Sequence, residues 1–332
     1  MVKQFLPLTP ELEVTVLNKI SLVQLPVYLD FSSSLALERT CQFLFQTKWS
    51  QIILDFAQTT FIDSCGIGTL ANLIKLANEK QIQIILWSVE SKIQEALRAA
   101  GFESSLVIDA ETQSIKREND LFKKSQLISH HPSVNSWLKR VIDIWGALIG
   151  LSLTAILFMP IAIAIKLDSP GPILFSQMRR GWLGKPFRLW KFRSMVVNAE
   201  ELKPFIENQI KGPFFKNKND PRITKVGRFL RKSSLDELPQ FWNVLKGEMS
   251  LVGTRPPTFD EVDQYTIPMW QRLNVKPGIS GEWQINGRSK INNFDEVLEL
   301  DLNYQKNWSI MYDVKLIFKT LSVFIDKNSG SF

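Results

Sequence analysis

Between Val141 and Ile165 the sequence reads "VIDIWGALIGLSLTAILFMPIAIAI". As a helix this run is long enough to cross a bilayer, which takes about 20 apolar residues. Pro160 stands inside it, where it removes a backbone donor and crowds the preceding turn. Lys139 and Arg140 flank one end, and Lys166, Arg179 and Arg180 flank the other. Basic flanks favour the cytoplasmic side. Both reach it together if the segment enters the membrane, breaks at Pro160 and leaves by the same face, a re-entrant hairpin. The backbone groups freed at such a break need local partners. A kinked span and a buried soluble helix are the other readings of the run.

The chain has 332 residues, more than one typical core, so two domains are expected. A formal net charge of +7 points to anionic partners: nucleic acid, phosphorylated small molecules or anionic lipid. Cys41 and Cys65 are the two cysteines and have no paired spacing, which argues against a disulfide framework and a zinc site and suits a reducing cytoplasm. The two histidines, His130 and His131, lie in a polar stretch and read as linker residues, so histidine-based catalysis is not expected. The opening "MVKQFLPLTPELEV" has one lysine and no long apolar run, so no signal peptide is expected.

Residues 1 to about 110 alternate strand-like and helix-like patterns. "VTVLN", "LPVYLD", "QIILDF" and "IQIILWSV" read as strands; "SSLALERTCQFLFQ", "SCGIGTLANLIKLANEK" and "SKIQEALRAAG" read as helices. This order predicts an α/β domain with a parallel or mixed sheet flanked by helices. Residues 111–136 lose periodicity and read as a linker, and 137–332 form the second domain. Near its end, Ile310, Val314, Ile317, Leu321 and Phe324 repeat at helical spacing, with Lys315 and Lys319 off that stripe. Such a helix suits either a membrane interface or a soluble core.

In "RKSSLDELPQFWNVL", two adjacent carboxylates, Asp236 and Glu237, stand where a helix begins, just after Arg228, Arg231 and Lys232. Capping is the plain explanation. Ser234 to Glu237 fits the S-x-x-E box, and early acids favour the positive end of the helix dipole. In that frame Pro239 falls too deep, whereas a helix starting at Asp236 tolerates it in the first turn. Either frame puts both acids at a helix N-terminus, where a phosphate also binds.

The surrounding motifs are "KFRSM" (191–195), "DPRITKVGRFLRKSS" (220–234), "GEMSLVGTRPP" (247–257), "VKPGISGEWQINGRS" (275–289) and "LDLNYQKNWSI" (300–310). Together with the apolar run they closely resemble the bacterial sugar transferase family, the monotopic polyprenyl-phosphate phosphoglycosyl transferases, from about Trp137 to Ile325. The resemblance implies a mainly α (α+β) membrane transferase domain, with a re-entrant helix over 137–166 and a cytoplasmic catalytic part with interfacial helices over 167–332. It implies that Asp236 is the nucleophile on the β-phosphate of a UDP-sugar and lies next to Mg²⁺, with Glu237 supporting the metal or assisting proton transfer. Arg231 and Arg255 match family arginines and suit phosphate or nucleotide contacts, since a guanidinium grips phosphate in a bidentate way. Lys191, Lys276, Gln284 and Arg288 are further substrate-binding candidates, and each also suits a solvated or membrane-surface role. Two departures stand out. Thr254 replaces the first proline of the family's "GPRP". The helix break reads Met159-Pro160 rather than Ser-Pro, which leaves Thr154 or Ser152 to satisfy a freed carbonyl.

"IILDFAQTTFIDSCGIGTL", residues 52–70, is similar to the STAS domain of anti-sigma-factor antagonists and sulfate transporters, and with the strand-helix order the likeness covers residues 1 to about 110. The phosphorylated serine of the phosphoregulated antagonists is replaced here by Cys65, and Ser64 is expected to cap the following helix. Such domains are cytoplasmic, which agrees with the same-face hairpin.

The resemblances imply a phosphoglycosyl transferase at the cytoplasmic face of a bacterial inner membrane. It would move hexose-1-phosphate from a UDP-hexose (glucose or galactose as first guesses) to undecaprenyl phosphate, release UMP and start exopolysaccharide, capsule or O-antigen synthesis. The STAS-like domain would bind a protein partner. The alternative is a catalytically inactive, membrane-anchored STAS adaptor, which would have lost the acid pair or its arginines. No nucleic-acid recognition motif is visible.

Overall fold

The computed structural model describes residues 11–17, 20–46, 51–100, 107–108, 131–210, 212–217, 219–286 and 293–325. Arg288 and most of the expected linker lie outside them. The chain divides into two compact units, one of residues 1–130 with 183–185 and 265–274, the other of the remainder.

The N-terminal unit holds β1 (Val14–Leu17), β2 (Ile20–Gln24), β3 (Tyr28–Leu29), α1 (Phe31–Leu44), β4 (Gln51–Asp55), β5 (Phe61–Ile62), α2 (Ser64–Glu79), β6 (Gln83–Trp87), α3 (Ser91–Ala99) and β7 (Val107–Ile108). The main sheet runs β1-β2-β4-β6-β7, antiparallel at β1-β2 and parallel elsewhere, so the expected mixed sheet is present. Burial alternates along β2 and β4, as in strands with one face on a core. The core contains Val23, Ile52, Leu54, Ile84 and Leu86 from strands, with Leu37, Ile67, Leu70 and Leu97 from helices.

Asp30 begins α1 with a reciprocal capping box to Ser33. Asp63, not Ser64, caps α2: its backbone is extended and its carboxylate accepts from the Gly66 N–H at 2.9 Å. Ser64 is already the first helical residue, so its side chain is free to point elsewhere.

The second unit begins with α4 (Pro132–Asn135) and α5 (Trp137–Asp168). The expected linker therefore ends in ordered structure. His131, expected there as a linker residue, is half-buried, with Nδ1 2.7 Å from Ser133 Oγ and Nε2 2.9 Å from Gln305 O. Helix α5 passes through Pro160 as one continuous element rather than two separated by a loop. Ser152 Oγ bonds Leu148 O, and Thr154 Oγ1 bonds Gly150 O and Leu238 O. Each hydroxyl reaches one turn back, so neither takes the Ile156 carbonyl that Pro160 leaves without its helical donor.

One face of α5 is core. Lys139, Asp143, Ala147, Gly150, Thr154, Ile161 and Ile165 are buried at helical spacing. Gly150 admits the Phe241 ring, since a Cβ there would lie 2.3 Å from it. The other face is apolar yet exposed, with Trp145, Ile149, Ile156, Met159, Ile163 and Leu167.

Strands β8 (Leu174–Arg180) and β9 (Pro186–Phe192) form an antiparallel hairpin. Then come α6 (Ala199–Leu202), α7 (Lys225–Lys232), a 3-10 turn (Leu235–Gln240), α8 (Phe241–Lys246), β10 (Ser250–Val252) and α9 (Phe259–Val262). Helix α10 (Ile267–Trp270) and the 3-10 turn Gln271–Asn274 belong to the N-terminal unit. Strand β11 (Gly278–Ser280), parallel to β10, α11 (Glu282–Asn286), α12 (Phe294–Lys306) and α13 (Ile310–Ile325) complete the chain. Ile161 and Ile165 of α5 pack with Phe192, Leu230 and Leu238, which fixes the acid-bearing turn against helix and hairpin.

The buried face of α13 contains Asp313 and Leu316 rather than centring on the expected Ile310–Val314–Ile317 stripe. The reason is ionic: Asp313 turns inward to the Lys139 ammonium. The basic residues at the start of α5 are likewise internal. Lys139 is 5% exposed, and Arg140 caps α8 by donating to Val244 O and Leu245 O. Their charges are committed to the fold and do not serve as free membrane flanks.

Candidate active site

The acids stand in the 3-10 turn that links α7 to α8, not in an α-helical capping box. Ser234 has left-handed backbone angles (φ 53°, ψ 18°) and makes no side-chain cap bond. It accepts from Glu237 N through its own carbonyl and donates its N–H to Arg231 O. For a residue other than glycine this conformation costs about 1 kcal/mol or more. It reverses the chain sharply between Arg231 and Asp236. Pro239 is the fifth of the six residues of this 3-10 turn, just before α8 begins at Phe241.

Asp236 is 5% exposed. Its charge acts on Arg231: burial lowers that guanidinium's pKa, while Asp236, Asp220 and Glu237 oppose the shift and Arg222 adds to it. Arg231 Nε donates to Ser194 Oγ at 2.9 Å, which orients the guanidinium from two residues past the end of β9. Glu237 accepts from Lys191 Nζ at 2.9 Å, so this lysine of β9 touches the acid pair. Arg222 grips Asp220 in a buried fork, with Nη2 to Oδ2 at 2.7 Å. Burial works against the Asp220 charge, but the Arg222 contacts dominate and hold its carboxyl below the usual range. Asp236, Glu237, Arg231 and Lys191 are thus brought together, and Ser194, Asp220 and Arg222 support them.

Arg255 has its own setting. Its two terminal nitrogens donate to Glu261 at 2.8 and 3.2 Å, and the guanidinium lies over the Phe214 ring, 4.2 Å from its centroid. Glu261 also caps α9 from position N3 in a box with Thr258. Burial raises the Glu261 pKa, but Arg255, Arg179 and Thr258 more than reverse it, leaving the carboxyl below its usual range. Lys276 sits among Lys139, Arg140 and Asp143 at the start of α5, and burial, with Arg140 and Lys139, pushes its pKa down. Gln284 is on α11, half-exposed. Ser194, Asp220, Arg222 and Glu261 were not singled out in the sequence; each lies within or beside a quoted motif, and that adjacency was the available signal.

Among the described residues no group of three or more His, Cys, Asp or Glu side chains forms a metal site. Two adjacent carboxylates do fit Mg²⁺, which keeps several waters and is held by one or two carboxylates plus substrate phosphates.

An acid pair is faced by arginine and lysine in a unit whose longest described helix has an exposed apolar face. Residues 134–327 match the family described as bacterial sugar transferase, and residues 11–115 match the STAS domain. The chain belongs to the bacterial sugar transferase family and carries a STAS domain at its N-terminus. It is 53% identical over 187 residues to the galactosyl transferase CpsE of Streptococcus agalactiae serotype III, covering 56% of this chain and 41% of that protein. It is 38% identical over 237 residues to undecaprenyl-phosphate galactose phosphotransferase of Salmonella typhimurium, covering 69% and 47%. It is 45% identical over 195 residues to UDP-glucose:undecaprenyl-phosphate glucose-1-phosphate transferase of Escherichia coli K12, covering 57% and 40%. In each case the matched part is less than half of the relative's length.

Proposed function

We propose that the protein transfers hexose-1-phosphate from a UDP-hexose to undecaprenyl phosphate, releasing UMP and beginning a lipid-linked glycan. The observation that carries this reading is the buried Asp236 carboxylate facing Arg231, with Glu237 held by Lys191. A carboxylate can act as a nucleophile, but it must approach an anionic diphosphate, and cations reduce that repulsion.

In the proposed reaction an Asp236 carboxylate oxygen attacks the β-phosphorus. The bond from that phosphorus to the bridging oxygen breaks, and the electron pair leaves with UMP. A phosphate oxygen of the polyprenyl acceptor then attacks the phosphosugar-aspartyl phosphorus, breaks the bond to Asp236 and regenerates the carboxylate. Arg231 holds the phosphoryl oxygens as charge shifts toward UMP, and Lys191 keeps Glu237 aimed beside Asp236. Asp236 and Glu237 would hold Mg²⁺, whose charge screens the diphosphate. Arg255 is suited to the nucleotide phosphates, with Phe214 beside it.

The exposed apolar face of α5 favours membrane association, since one helix is long and apolar enough to cross a bilayer. We place the catalytic unit at the cytoplasmic face, where nucleotide sugars are made; a same-face arrangement of α5 would require this continuous helix to bend at Pro160.

The test is UMP release by membrane fractions supplied with Mg²⁺, undecaprenyl phosphate and a panel of UDP-sugars, comparing wild type with Asp236→Asn. Release with one or two donors, lost in the variant, supports the reaction and names the donor. Equal release from both proteins overturns Asp236 as nucleophile. Silence from wild type across a full hexose and N-acetylhexosamine panel would favour the inactive adaptor.

A further inference from the structure

Within the N-terminal unit, the first turn of α2 is completed by residues from the far end of the sequence. The opening N–H groups of a helix have no partner in their own helix. Ser64 N donates to Asn274 Oδ1 at 3.0 Å. Ser64 Oγ, wholly buried, lies 2.6 Å from both Trp270 O and Asn274 Oδ1. Cys65 Sγ lies 3.4 Å from Ile267 O, and Asn274 Nδ2 lies 3.4 Å from Asp63 Oδ2. One turn further, Gly68 leaves a notch filled by the Trp270 indole, which a Cβ at Gly68 would meet at 2.2 Å. Polar complementarity at Ser64 and steric complementarity at Gly68 select the same ten-residue segment, 265–274.

We propose that this end of α2 is a docking seat for residues 265–274, and that seating the segment steadies the transferase. The covalent connections supply the means. Upstream, the segment follows Glu261, which grips Arg255; downstream, it leads through Val275 and Lys276 into β11, paired with β10. A seated segment holds both chain ends in place. A released one lets α9 and β11 fluctuate, and the Arg255–Glu261 pair with them. The effect on turnover rests on the reading of Arg255 as a contact to the nucleotide phosphates.

The experiment uses the full chain in membrane fractions or detergent, with hydrogen exchange and UMP release as separate readouts. Gly68→Ala places a methyl in the Trp270 notch; Asn274→Leu removes the acceptor shared by Ser64 N and Oγ from the other side, leaving Ser64 Oγ with Trp270 O. In both, exchange at 265–274, α9 and β11 should rise about tenfold or more, as expected for a locally opened element. UMP release should fall about fivefold through a higher KM for the UDP-sugar, a typical size for coupling between sites. Gly68→Ala combined with Trp270→Leu should recover part of both losses, which a merely misfolded α2 would not. Unchanged exchange at 265–274 in both single variants overturns the seat. Faster exchange at 265–274 without change at α9 or β11, or with normal KM, overturns the control. If wild type releases no UMP with any donor, the transferase reading falls, and exchange at α9 and β11 decides the coupling alone.

Discussion

The Lys139 ammonium and the Asp313 carboxylate lie 2.5 Å apart, both buried, joining the first turn of α5 to α13. Tyr304 OH donates to Asp313 Oδ1 at 2.8 Å and Trp308 Nε1 to Oδ2 at 3.1 Å, while Lys139 also donates to Val252 O at 3.0 Å. One turn along, Asp143 accepts from Ser250 Oγ and Leu251 N, both at 2.9 Å. A buried charge is tolerated only when paired and hydrogen-bonded, and this one ties four elements together.

Removing one partner should be worse than removing both. Lys139→Met is expected to destabilise the catalytic unit by about 3–5 kcal/mol, because Asp313 is left charged and buried. Lys139→Met with Asp313→Leu should recover much of that loss. Denaturant unfolding in detergent, followed by tryptophan fluorescence, gives the comparison. Equal stability of the single and double variants would mean that the pair is not the stabilising contact.

Ser194 should matter to catalysis through Arg231. Ser194→Ala removes the acceptor for Arg231 Nε, and a hydrogen bond to a charged group carries about 1.5–3 kcal/mol, or a rate effect of about tenfold or more. UMP release should show that loss in kcat/KM, with the thermal midpoint little changed. Normal kinetics would show that Arg231 is oriented without Ser194.

The Arg255–Glu261 pair gives acid stability a defined sign. Glu261 has a folded-state pKa below its ordinary value of 4.5. Its contribution is therefore present above that ordinary value and is lost as pH falls through the lower, folded one. Arg255→Met leaves burial unopposed by that cation, so acid unfolding should begin at higher pH. Circular dichroism from pH 6 down to about 3, the range over which carboxylates titrate, checks this. An unmoved acid midpoint would separate Glu261 from the stability of the unit.

The exposed face of α5 should be the lipid-contacting one. Ile156→Lys places a charge there, at a cost of about 2.5–3.5 kcal/mol if the site is near the membrane centre. Loss of protein from carbonate-washed membranes is expected for Ile149→Lys with Ile156→Lys. Lys substitutions at exposed Glu200 and Glu201, away from α5, should leave retention unchanged. Full retention of the α5 double variant would remove this face from the membrane.

The sequence made α5 legible because a long apolar run has few structural solutions, and its motifs placed Asp236, Arg231 and Lys191 in one neighbourhood. It did not reveal what Lys139 and Arg140 do. Positive flanks beside an apolar run look alike whether they face water or a carboxylate 174 positions away, as Asp313 is from Lys139. The same distance effect hid the partner of Ser64, whose local context suggested a cap while Asp63 took that position. Strand β2 was missed because its residues "ISLVQ" follow closely on β1 and carry a weak pattern. The left-handed Ser234 gave no signal, since serine rarely adopts that conformation and nothing beside it demands a turn.

Helix α5 turns one face, from Lys139 to Ile165, into the interior of the second unit. Ala147 packs with Phe187 and Val244, and Gly150 receives Phe241, the residue that follows the acid-bearing turn. Excising the helix to obtain a water-soluble enzyme would therefore open the core from Phe187 to Leu238, and replacing it with a generic membrane helix would fill the Gly150 notch. A more polar surface has to come from recolouring the exposed apolar side, residue by residue, with the inner side left intact.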